Sequence, residues 1–150
     1  GACLSDMTVA MIAEEPFGGD PFPGHDRINH SLGEIQAIVK QGRPDWRIAL
    51  EQMKGVYVIH DAATGEAYVG SAYGDTGIWQ RWSYYAHTFH GENVGLKAHL
   101  AAHGEDYFRK NMRFALLEFW SRRTDDTHVI DRENYWKGVL LSRSLGHNKN

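Results

Sequence analysis

A chain of 150 residues with 42% hydrophobic content is long enough to bury one core and too short for two comfortable domains. Its formal charge of −3 excludes a protein that holds nucleic acid by a large overall field, while leaving room for a local basic groove. The single cysteine, Cys3, excludes an intrachain disulfide and a cysteine-based zinc site and suits a reducing, cytoplasmic setting. The longest apolar runs, such as Phe114 to Leu117, fall far short of the roughly 18 residues of a membrane span, so no membrane partner is expected. Acidity is concentrated early: residues 1–54 carry eight acids and five bases, and residues 55–150 carry eleven of each. The first residue is Gly rather than Met, which reads as a processed or truncated piece of a longer protein.

From Gly1 to His25, Pro16, Gly18, Gly19, Pro21, Pro23 and Gly24 crowd together without periodicity, which predicts an extended arm. Leu32, Ile35, Ile38 and Val39 then recur at helical spacing, with Ser31 as N-cap and Gly42 as terminator. Trp46, Ile48 and Leu50 lead in to the next element. Residues 55–70 hold two β-rich runs around a Thr64-Gly65 turn and predict a hairpin. With an even loop, Tyr57 and Tyr68 share one face, and Val56, Val58, Ala67 and Val69 share the other.

Asp75 or Thr76 can cap a helix carrying Ile78, Trp82, Tyr85 or Ala86, and Phe89 at core spacing, with Arg81 and Tyr85 side by side on its flank. A second helix runs from about Asn93 to His103 and ends at Gly104. Met112 to Phe119 reads as a strand, and Thr124 or Asp125 opens a helix running to about Leu141. The expected fold is α+β: a small three-stranded antiparallel sheet, hairpin 55–70 plus a strand near 112–119, flanked by helices.

One position does not fit a core. Glu133 falls within the apolar stripe of Val129, Trp136 and Leu140, where a carboxylate is expensive to desolvate unless it is paired or bound to a cation. An ordinary ion pair with Arg132, Arg81 or Arg143 is the plain alternative. Arg81, Tyr57 and Tyr68 are each unremarkable alone. Together with Glu133 they supply what phosphodiester hydrolysis requires: a phenol to orient or deprotonate water, a guanidinium for phosphate oxygens and a carboxylate for a metal.

These residues, in this order, resemble the GIY-YIG nuclease family across residues 55–150. Gly55-Val56-Tyr57 stands for the first signature triplet and Tyr68-Val69-Gly70 for the second. Arg81 falls on the family's helix arginine, Tyr85 one turn later on its His or Tyr position, Glu133 on its metal-binding glutamate, and Asn148 on the closing asparagine. Val replaces Ile in both triplets, and the segment from Gly70 to Arg81 is somewhat long. The resemblance implies an endonuclease acting on DNA, duplex most naturally, in which Glu133 binds one Mg²⁺ or Mn²⁺. It implies that Arg81 neutralises phosphate oxygens and that Tyr57, its pKa depressed by a nearby cation, handles the water. Tyr68, Tyr85 and Asn148 support them. A compact domain of this kind makes one nick at a time, so double-strand cleavage implies a homodimer or two binding events, and a specificity domain outside residues 1–150 is a further expectation. Residues 1–54 have no counterpart in the minimal domain and form an extension of unknown role.

Two other readings compete. His87 with His90 and His99 with His103 have the spacing of zinc ligands, but no cysteine or paired carboxylate completes a site. A non-cleaving nucleic-acid-binding or assembly domain on the same fold has no reason to keep all five side-chain types. Arg109-Lys110, Arg113 and Arg122-Arg123 are the local basic clusters on which DNA binding would lean.

Overall fold

In the computed structural model, which describes residues 20–141, local signals set most element boundaries. Ser31 closes a full capping box with Glu34 at the start of α1, Leu32–Gln41, satisfying two backbone donors at once. Gly42 ends it in the left-handed conformation. A second helix that the sequence pattern left unassigned, α2, Pro44–Glu51, starts on proline, whose missing N–H costs nothing at a helix start. Its Trp46 and Leu50 are buried.

The sheet is fully antiparallel and has four strands rather than the expected three. Strands β2, Met53–Asp61, and β3, Ala67–Ala72, form the hairpin, and β4, Met112–Ser121, lies on the other side of β2. The added strand β1, His30–Ser31, pairs with β4 through His30 opposite Phe114. Two residues give no period-2 pattern to read, and only the partner strand reveals them. The order β1-β4-β2-β3 leaves β3 on an edge.

Both faces of the sheet are covered. Tyr57, Ile59, Tyr68, Ala72, Met112 and Phe114 point into the main core, under α1, α2, α3, Gly77–Thr88, α4, Val94–His103, and α5, Glu105–Asn111. The short α5, built around the buried Phe108, was also not evident from periodicity. Residues before Gly55, among them Ile28, Leu32, Ile35 and Ile38, belong to this same core. Val56, Val69 and Val129 form a smaller core on the opposite face, beneath α6, Asp126–Trp136, with Ala67, Trp136 and Leu140 beside them. The expected division of the hairpin residues between faces holds. A bulge between Val56 and Tyr57 sets Leu116 opposite Tyr57 and Glu118 opposite Val56. Beyond Trp136, α6 widens into a π turn, Lys137–Leu141. Among the described residues no helix is long and apolar enough to cross a membrane.

Candidate active site

The edge strand β3 organises the site. Gly70 pairs with Tyr57 and so faces the main core, whereas Ser71 pairs with Val56 and faces α6. Gly70 offers no side chain, and the Tyr57 phenol fills the space: a Cβ at position 70 would lie 2.5 Å from the Tyr57 hydroxyl. A cleft of about 1080 Å³ wraps this stretch of β3, and Tyr57, Arg81, Tyr85 and Glu133 all line it.

On the main-core side, the hydroxyls and the guanidinium form a directed chain. Arg81 Nε donates to the Tyr57 hydroxyl at 3.1 Å, and the Tyr57 hydroxyl donates to that of Tyr85 at 3.1 Å. A second Arg81 nitrogen donates to the Gly91 carbonyl at 3.0 Å, and the guanidinium carbon stands 5.1 Å from the Tyr85 ring centroid, within cation–π range. Tyr57 has spent its only proton on Tyr85, so the Tyr85 proton is the one left for a cleft partner. Gly91, at φ 54°, allows this packing, since a Cβ there would stand 2.4 Å from the Tyr85 ring.

The expectation that a cation depresses the Tyr57 pKa is corrected here. Tyr57 is 1% exposed, and burial, reinforced by Tyr85, raises its pKa well above the ordinary phenol value despite the opposing pull of Arg81. Desolvation of the phenolate outweighs one neighbouring charge. The neighbouring charge is visible in the sequence; the burial is not.

On the α6 side, Glu133 is held from two directions. Ser71 Oγ donates to Oε1 at 2.5 Å, and Lys137 Nζ lies 3.1 Å from Oε2. None of the arginines considered as partners is used: Arg132 pairs with Glu118, Arg81 bonds Tyr57 and Gly91, and Arg143 lies outside the described residues. Lys137, four residues on from Glu133, was legible as an i, i+4 pair. Ser71, 62 residues away, was not.

Tyr68 shares the Tyr57 face but is not among the residues lining the cleft. Its hydroxyl donates to Glu66 at 3.4 Å, and burial with the Glu66 charge pushes its pKa up to about 12. It packs on His99, whose Nε2 lies 2.7 Å from the fully buried Asp61 carboxylate. Tyr107 donates to the same Asp61 oxygen at 2.6 Å. His99 and His103 thus lie with tilted rings 4.4 Å apart beside a carboxylate network, while His87 and His90 bond nearby backbone. Among the described residues, no three His, Cys, Asp or Glu side chains gather as metal ligands. Asn148 lies outside the described residues.

The donor chemistry around Glu133 suits Mg²⁺ or Mn²⁺: a carboxylate and a hydroxyl, both hard oxygen ligands, open to a cleft that can supply water for the remaining positions. Of the other carboxylates on the cleft walls, Glu92 is paired with Lys97 at 2.7 Å and Asp126 with Lys54 at 2.7 Å.

No family model and no curated protein matches the chain. Among solved structures, the catalytic domain of the homing endonuclease I-TevI is similar, at 25% sequence identity and a TM-score of 0.47, over 65% of this chain and 98% of that one.

Proposed function

We propose that the chain is a divalent-metal-dependent endonuclease of the GIY-YIG type, hydrolysing phosphodiester bonds in DNA. The observation that carries this reading is the convergence of Tyr57, Arg81, Tyr85 and Glu133, from β2, α3 and α6, on one cleft. They supply a phenol pair, a guanidinium and a carboxylate along the lining of that cleft, the groups that phosphodiester hydrolysis uses.

In this mechanism Arg81 keeps two of its donors on Tyr57 and Gly91 and turns the rest of its five N–H groups to the nonbridging oxygens as charge builds there. Tyr85 offers its free proton and remaining lone pair to the attacking water. Tyr57 stays protonated and fixes both partners. The water oxygen bonds phosphorus and its proton passes to solvent, while the 3′ oxygen leaves with the electron pair of the broken P–O bond and takes a proton from solvent. Glu133, with Ser71 beside it, would hold Mg²⁺ or Mn²⁺, and when bound that ion would supply Lewis-acid chemistry to the reaction. Tyr68 contributes by packing rather than by contact with the phosphate, and Asn148 retains its assignment from the sequence motif.

The test is cleavage of plasmid DNA with Mg²⁺ or Mn²⁺ by wild type, Glu133→Ala and Arg81→Ala. Nicking by the wild type and loss of about 10²-fold or more in either variant is expected, the scale of a removed transition-state contact. Undiminished cutting by Glu133→Ala overturns the metal assignment. Binding of DNA without cutting in any divalent metal favours a non-cleaving domain instead.

A further inference from the structure

Among the described residues lining the cleft, the permanently cationic side chains are Arg81 and Lys137, and only Arg81 is absorbed by the mechanism above. Lys137 is not an ordinary solvated helix pair. Its side chain is 29% exposed and that of its partner Glu133 17%, and both face the cleft. Lys54, on β2, is by comparison committed to Asp126 at 2.7 Å and to the Thr124 carbonyl at 2.6 Å. Lys137 has one partner oxygen, Glu133 Oε2, at 3.1 Å.

That oxygen is contested. Oε1 already accepts from the Ser71 hydroxyl at 2.5 Å, and a divalent cation that engages Glu133 through Oε2 meets the ammonium there. The two cations repel at such range and compete for Oε2. Lys137 also sits where α6 passes into the π turn Lys137–Leu141, a local widening that recurs at functional positions. A lysine stem is long and flexible enough to move its charge along the cleft without moving the backbone.

We propose that Lys137 is the displaceable counter-ion of Glu133: in the metal-free protein it holds the carboxylate in the cleft, and on cation binding it yields Oε2 and contacts a phosphate oxygen of the bound strand. This rests on the nuclease reading of the same site. It gives the cleft a second phosphate contact that becomes available only once the metal is present, so metal and DNA binding support one another.

Two measurements with opposite expected signs test it. Mn²⁺ titration of the DNA-free protein by electron paramagnetic resonance should find Lys137→Met binding about 2- to 5-fold tighter than wild type, the scale of removing one partly exposed ion-pair partner. Lys137→Arg should stay near wild type. Binding of a labelled duplex in Ca²⁺ should be about 3- to 10-fold weaker for Lys137→Met, the loss of one charged hydrogen bond to phosphate. A merely structural lysine would weaken both. Unchanged or weaker Mn²⁺ binding by Lys137→Met overturns the proposal, as does unchanged duplex affinity. Failure of the wild type to bind Mn²⁺ more tightly than Glu133→Gln overturns the metal reading of Glu133 itself.

Discussion

Gly70 and Tyr57 face one another across the hairpin, and the phenol occupies the volume where any larger residue at 70 would place its Cβ, 2.5 Å from the hydroxyl oxygen. The second triplet's glycine therefore shapes the site through the first triplet's tyrosine. Gly70→Ala is expected to cost about 1–3 kcal/mol by overpacking, because Tyr57 is hemmed in by Trp82 and Tyr85 at ring-centroid separations of 6.2 Å and 5.8 Å. Displacing Tyr57 also removes its bond to Arg81, so cleavage should fall more than stability does. Thermal unfolding beside plasmid nicking checks this. A variant as stable and as active as wild type would contradict it.

Much of this was legible locally. The hairpin, the shared face of Tyr57 and Tyr68, the Ser31 cap and the helix start near Asn93, whose side chain accepts from the Leu96 amide, all rest on neighbours within a few residues. What escaped depends on distant partners. Strand β1 exists only against β4, α2 and α5 are too short to declare a period, and the hold on Glu133 comes partly from Ser71 across the sheet edge. Tyr68 shares a face with Tyr57, yet Glu66 and His99 claim its hydroxyl and its ring. A face is readable from alternation; the direction of a hydroxyl is not.

The Asp61 network sets an acid limit on folding. Burial alone would raise the Asp61 pKa, but hydrogen bonds from Tyr107, His99 and the Ala63 and Thr64 amides more than offset this and hold it at about 2. A depressed carboxylate contributes stability that is present above its unfolded value, 3.8, and is lost as pH falls through the folded value. Stability worth about 2 kcal/mol should therefore disappear between roughly pH 4 and pH 2. Urea unfolding across that range, wild type beside Asp61→Asn, measures it. The variant should start less stable and show a flatter profile, and parallel profiles would remove Asp61 as the cause.

Arg81 is engaged in two directions, to the Tyr57 hydroxyl and to the Gly91 carbonyl, and a lysine ammonium cannot reproduce that planar fork. Arg81→Lys keeps the charge and loses the geometry. Cleavage should drop about 10²-fold, while duplex affinity, measured by fluorescence anisotropy in Ca²⁺, changes by less than about threefold. Equal losses in affinity and turnover would mean that Arg81 acts by charge alone.

Tyr57 supplies the sharpest test of the proton chemistry. Its pKa is raised, principally by burial, so the phenol remains protonated through the neutral and moderately alkaline range. A base at this position would instead make the rate climb tenfold per pH unit until it ionised. Tyr57→Phe removes the donor to Tyr85 and the acceptor for Arg81, so the rate should fall about 10- to 100-fold. The shape of the single-turnover pH profile between roughly pH 6.5 and 9 should nevertheless match that of wild type, because the lost group did not titrate there. Loss of an alkaline slope in Tyr57→Phe would assign the general base to Tyr57. Retention of the slope in Tyr57→Phe would place the general base on another group.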